Sequence, residues 1–133
     1  MSPLELEPIP EAANDAAAAV VDAAYAVHSA LGPGLLESVY EVCLGHELEK
    51  RDRRVQRQVS LPVVYDRVRL DAGLRLDMVV DGCLIVEIKA VEQLLPVHNA
   101  QVLTYLKLTG RRLGLLINFN TQLIRYGIKR VAL

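Results

Sequence analysis

Apolar residues recur at helical spacing through the first third of the chain and at a spacing of two after it. Val20, Ala24, Val27 and Leu31 line one face of a helix. Asn14 or Asp15 is placed to cap its start, and Gly32-Pro33-Gly34 stops it. Leu36, Tyr40, Leu44 and Leu48 form the stripe of a second helix ending near Lys50, with Glu41, Glu47 and Glu49 pointing elsewhere. From Val55 the period shortens. Val55, Arg57, Val59 and Leu61 alternate with polar residues, and Pro62 marks an edge strand or a bulge. Asp66-Arg67 reads as a turn. Leu74, Leu76, Met78 and Val80 share one face of the next strand, and Arg75, Asp77 and Val79 share the other. Asp81-Gly82 signals a hairpin. Cys83 to Ala90 is apolar enough for a central strand. Pro96 opens a third helix that Gly110 ends. Arg112 to Phe119 and Leu123 to Val131 read as two further strands.

This order is helix, helix, three strands, helix, two strands. It predicts a single α/β domain over residues 13–133, with a central mixed sheet flanked by helices. Residues 1–12, with three prolines, read as a loose arm. At 133 residues and 52% hydrophobic content, the chain can bury a real core, which excludes a disordered protein. No apolar run is long enough to cross a bilayer. The acidic start lacks the basic and apolar parts of a secretory signal and the Arg of a transit peptide, so the cytoplasm is the expected location. Cys43 and Cys83 do not make a disulfide framework. Cys43 and His46 stand at metal-pair spacing, yet no second pair follows to complete a zinc site.

The net charge of -1 hides an asymmetry. Residues 1–49 hold nine acids and no Lys or Arg, whereas residues 50–133 carry a balance of +8. Such a segment suits a polyanionic partner, or equally a basic sheet layer paired with acidic helices.

Candidate chemistry lies where charge interrupts apolar strands. Glu87 and Lys89 break the run Leu84-Ile-Val-Glu-Ile-Lys-Ala90 and point to one face. Asp77 stands across the hairpin. A strict two-residue loop would turn Glu87 away from Asp77, so this site requires an odd loop, such as three residues ending in Gly82 with a bulge. Two carboxylates sharing a patch repel, and a hard divalent cation, Mg²⁺ or Mn²⁺, relieves that repulsion and activates water. Three residues alone also fit a structural Lys–carboxylate bridge. On the following helix, His98, Gln101 and Tyr105 form a polar stripe. Glu37 and Tyr40 face one way on the second helix. Glu37 reaches toward the metal patch or simply complements the helix dipole.

Gly34-Leu35-Leu36-Glu37-Ser38-Val39-Tyr40 is a GxxExxY signature. With Arg75-Leu76-Asp77, Glu87-Ile88-Lys89 and His98-x-x-Gln101-x-x-x-Tyr105, the chain resembles the GxxExxY proteins, a family similar to the PD-(D/E)XK nuclease superfamily. The resemblance spans roughly residues 14–131. It implies a restriction-endonuclease-like core (αβββαβ) with an extra N-terminal helix. It also implies a metal site from Asp77 and Glu87, with the Ile88 carbonyl contributing, and Lys89 as catalytic lysine. Glu37 matches the acid of the first core helix, and Gln101 with Tyr105 matches a QxxxY element. The residue before Asp77 is Leu76, where the superfamily often has proline.

The expected function is metal-dependent hydrolysis of nucleic-acid phosphodiesters. Asp77, Glu87, Lys89 and Glu37 are the catalytic candidates. Gln101, Tyr105, Arg75, His98 and Tyr40 are the substrate-binding candidates. Two other classes remain open: a non-catalytic module binding nucleic acid or protein, and a structural homo-oligomer packed through its Ala-rich first helix.

Overall fold

Alanine sets the first layer. In a computed structural model describing residues 7–133, helix α1 (Glu11–Leu31) buries Ala13, Ala16, Ala17, Val20, Ala23, Ala24 and Val27. Their i, i+3/i+4 spacing puts small side chains against the sheet and lets the helix lie close to it. The helix starts directly after Pro10, earlier than Asn14 or Asp15, and neither caps it. Pro10 lies outside the first turn, and Glu11-Ala12-Ala13 propagates the helix without a side-chain cap. Asn14 instead accepts a hydrogen bond from Arg130. Of the expected arm, residues 1–6 lie outside the described residues, and Glu11 and Ala12 are already helical. Gly32 ends α1 at φ +67°, donating to His28 O at 2.8 Å.

Helix α2 (Glu37–Lys50) packs Tyr40, Leu44 and Leu48 inward. Among the described residues the sheet contains five strands in chain order: β1 (Val55–Tyr65), β2 (Val68–Val80), β3 (Leu84–Lys89), β4 (Leu113–Asn118) and β5 (Ile128–Ala132). Among these strands only β3 and β4 pair in parallel, joined by helix α3 (Pro96–Thr109), as a parallel crossover requires. The β1 edge strand shifts register between Leu61 and Val63, around Pro62. Helices α1 and α2 cover one face of the sheet, against Val80, Leu84, Val86, Ile88, Leu113, Leu115 and Ile117. Helix α3 covers the other, with Val102 and Leu106 on Val79, Ile85 and Leu116. The architecture is the expected single α/β domain.

Two expectations change. Leu123–Val131 is not one strand: Ile124–Tyr126 forms a 3-10 turn and only Ile128–Ala132 joins the sheet. At Gly127 the chain passes so close to Asn118 O that a Cβ would lie 2.0 Å from it. Nor do Leu74, Leu76, Met78 and Val80 share one face. Leu74 and Leu76 pack with the α3-side cluster, while Met78 and Val80 pack under α1 and α2. The alternation breaks beside Gln58, which has φ +53° and interrupts the β1–β2 pairing between Arg57↔Met78 and Val59↔Leu76.

Candidate active site

The site begins where β2 and β3 separate. Their pairing runs through Val80↔Leu84, Val79↔Ile85 and Met78↔Val86 and then stops. The connecting loop is three residues, Asp81, Gly82 and Cys83, so it closes at Cys83 rather than at Gly82. Its odd length sets Asp77 opposite Glu87. Beyond Met78 the backbone amides lose their strand partners, and the two acids replace them reciprocally. Asp77 N–H donates to Glu87 Oε1 at 3.0 Å, and Ile88 N–H donates to Asp77 Oδ2 at 2.8 Å. A buried amide without an acceptor costs ~1–3 kcal/mol, so this exchange holds the gap open and fixes both carboxylates in it.

Glu87 is 3% exposed. Burial, and then the neighbouring Asp77 charge, push its carboxyl up to about 8, with Lys89 opposing weakly. The pair therefore retains a proton near neutral pH when no cation is bound. Lys89 follows Glu87 by two residues at the half-buried end of β3. From α3, buried Tyr105 has its hydroxyl pKa raised by burial and then by the Glu87 and Asp77 charges, with a Gln101 hydrogen bond opposing. Tyr105, with Gln101 beside it, thus approaches the carboxylate pair from α3.

A cavity of about 210 Å³ is lined by Glu37, Ser38, Glu41, Gln58, Asp77 and Ile88. Glu37 and Ser38 occupy the first turn of α2, where the freed amides favour an acid. Glu41 does not point elsewhere, as its place off the apolar stripe suggested. It is buried, accepting from Arg57 at 2.8 Å and from Gln58 Nε2 at 2.6 Å. Successive strand residues normally face opposite ways. The left-handed backbone at Gln58 is what lets it and Arg57 serve the same carboxylate.

Three candidates lie apart from this arrangement. Tyr40 is fully buried, stacked on Phe119 with ring centroids 4.6 Å apart. Its hydroxyl donates to Gly32 O at 2.6 Å and accepts from Leu35 N–H at 3.1 Å. It braces the α1–α2 connection and offers nothing to a substrate. His98 Nδ1 accepts the Leu95 N–H at 2.9 Å and so caps the start of α3. Arg75 is exposed and lines a different depression with Ser60, Asp71 and Leu74. The strand irregularity beside Gln58 separates it from the Asp77 cavity.

Sequence reasoning missed Ser38, Glu41, Arg57 and Gln58. The only available signal was the i, i+4 spacing of Glu37 and Glu41. No group of three His, Cys, Asp or Glu side chains forms a ready metal centre among the described residues. The paired carboxylates nevertheless suit one hard cation, with the Ile88 carbonyl and water as further oxygen donors. Burial first, and then the Asp77 charge, disfavour the ionised Glu87 carboxyl, and a cation would offset both.

The sequence model described as the PD-(D/E)XK nuclease superfamily matches residues 14–131. No curated protein and no solved structure gives a significant match. No helix among the described residues is long and apolar enough to cross a membrane.

Proposed function

The chain belongs to the PD-(D/E)XK nuclease superfamily, and from that premise we propose that it hydrolyses phosphodiester bonds of nucleic acid with Mg²⁺ or Mn²⁺. The observation that carries the proposal is the reciprocal Asp77–Glu87 pair, held in the gap between β2 and β3 with Lys89 beside it. Asp77, Glu87 and the Ile88 carbonyl would hold the cation. When bound, that cation lowers the pKa of water and neutralises charge on a scissile phosphate.

The chain's own groups do the rest. The Lys89 ammonium holds the attacking water or a phosphate oxygen and stabilises charge developing there. Glu37, which lines the cavity with Asp77 and Ile88, accepts a hydrogen bond from water. Gln101 and the neutral Tyr105 hydroxyl position the substrate backbone by donating hydrogen bonds. Within the superfamily, the Gly34-to-Tyr40 signature supports placing the chain among the GxxExxY proteins.

The test is cleavage of labelled DNA and RNA, single and double stranded, with Mg²⁺, Mn²⁺ or EDTA. Wild type is compared with Lys89→Ala. Metal-dependent cutting that is lost in the variant is the expected result. No cutting, or equal cutting by both proteins, would overturn the enzymatic reading in favour of a binding module.

A further inference from the structure

The opposite end of the β2–β3 hairpin carries the reverse charge. Asp81 is engaged on both oxygens: Oδ2 by Arg53 at 3.0 Å and Oδ1 by the Arg54 backbone N–H at 2.9 Å. Arg111 Nε donates to Gly82 O at 3.0 Å. The Arg54 guanidinium lies against Gly82, where a Cβ would come within 3.0 Å of it. Gly82 has φ +69° and is exposed, so the turn leaves this space open. Three guanidiniums therefore gather on one three-residue turn whose single carboxylate is already paired. Arg54 and Arg111 have no carboxylate partner among the described residues. Arg112, just before the start of β4, adds a further positive charge and, among the described residues, bonds Leu133 O.

Guanidinium forks match phosphate oxygens in shape and charge. Asp77 and Asp81 stand four residues apart, a span of about 13 Å. We propose that the Arg54–Arg111 turn is a second phosphate-binding position that grips a nucleic-acid strand at a distance from the carboxylate pair. This rests on nucleic acid being the partner, but not on its being cut. A strand is favoured over a small anion because the arginines lie along an open turn instead of enclosing a pocket.

The test is fluorescence anisotropy with labelled single-stranded DNA in EDTA, so that binding is read without turnover. Each lost phosphate contact removes about 0.7 from the salt slope. The double variant Arg54→Gln/Arg111→Gln should therefore lower the slope by about 1.4 and weaken binding roughly 25-fold at about 0.1 M salt. Arg54→Gln alone, whose side chain makes no hydrogen bond among the described residues, should cost about fivefold, which keeps the test alive if the double variant does not fold. The charge-matched Arg67→Gln/Arg125→Gln, both exposed and away from the turn, should change binding far less. Equal loss in the two double variants, or no loss in either, would overturn the proposal. Complete competition by millimolar inorganic phosphate would overturn it too. Cleavage assays separate the two readings. If wild type cuts and the Arg54/Arg111 variant binds normally, only this inference falls. If wild type does not cut but the variant binds weakly, only the nuclease reading falls.

Discussion

Replacing Glu87 with Gln tests the carboxylate pair through stability rather than activity. The amide keeps the shape and the oxygen that accepts the Asp77 N–H, and removes only the charge. In the folded chain the Glu87 carboxyl titrates at about 8, against an ordinary value of 4.5. Below 4.5 the group is neutral folded or unfolded, and its contribution is fully present. Between 4.5 and 8 the unfolded chain has lost the proton that the folded chain still holds, so stability falls as pH rises. Each pH unit costs about 1.4 kcal/mol, or roughly 5 kcal/mol across the whole window. Glu87→Gln escapes this loss. It should match wild type near pH 4 and exceed it by roughly 3 kcal/mol at pH 7. With a urea slope of about 2 kcal/mol/M, the midpoints would differ by roughly 1.5 M. Urea titrations from pH 4 to 8.5 without metal read the gap, and taking the difference cancels groups common to both proteins. Parallel curves, or a gap that closes as pH rises, would refute the claim that burial, and then the Asp77 charge, hold the Glu87 carboxyl protonated.

Mg²⁺ at a hundred times its dissociation constant should stabilise wild type by about 2.7 kcal/mol at pH 8, read by thermal melting, and should stabilise Glu87→Gln far less. Tyr40→Phe abandons the Gly32 carbonyl and the Leu35 amide and should cost about 1–2 kcal/mol in urea denaturation, with nucleic-acid affinity unchanged. Gly127→Ala drives a Cβ into Asn118 O, backbone that cannot yield, and should cost at least about 3 kcal/mol by the same measurement.

The layers of the fold were legible because burial imposes a period. Helical spacing located α1 and α2, and the apolar runs located β3 and β4. Where a single close contact decides, no period exists to read. Gly127 against Asn118 O turns half of an apparent strand into a 3-10 turn. The site shows the same division. Asp77, Glu87 and Lys89 stood out as charges in apolar strands, and the hairpin arithmetic demanded an odd loop, which Asp81-Gly82-Cys83 supplies. Glu41 did not stand out. Its burial depends on Gln58 adopting φ +53°, a backbone state costly for a residue with a side chain and unmarked by a glycine. The same break separates Arg75 from Asp77, although an unbroken strand would place both on one face.

The pair's structural duty and its charge can be separated. Opening a gap between β2 and β3 frees the amides of Asp77 and Ile88, and each needs an acceptor. Asn and Gln would supply both acceptors without repulsion, and would avoid confining two acids where one is held protonated to about pH 8. A chain needing only the gap would gain stability from that exchange. Here both positions are acids, Lys89 follows at the end of β3, and Glu37 lines the same cavity as Asp77. The charge is therefore unexplained by folding, and under the proposed function it would serve to hold a cation. That makes the carboxylate pair, rather than the fold around it, the strongest ground for reading this chain as a metal-dependent enzyme.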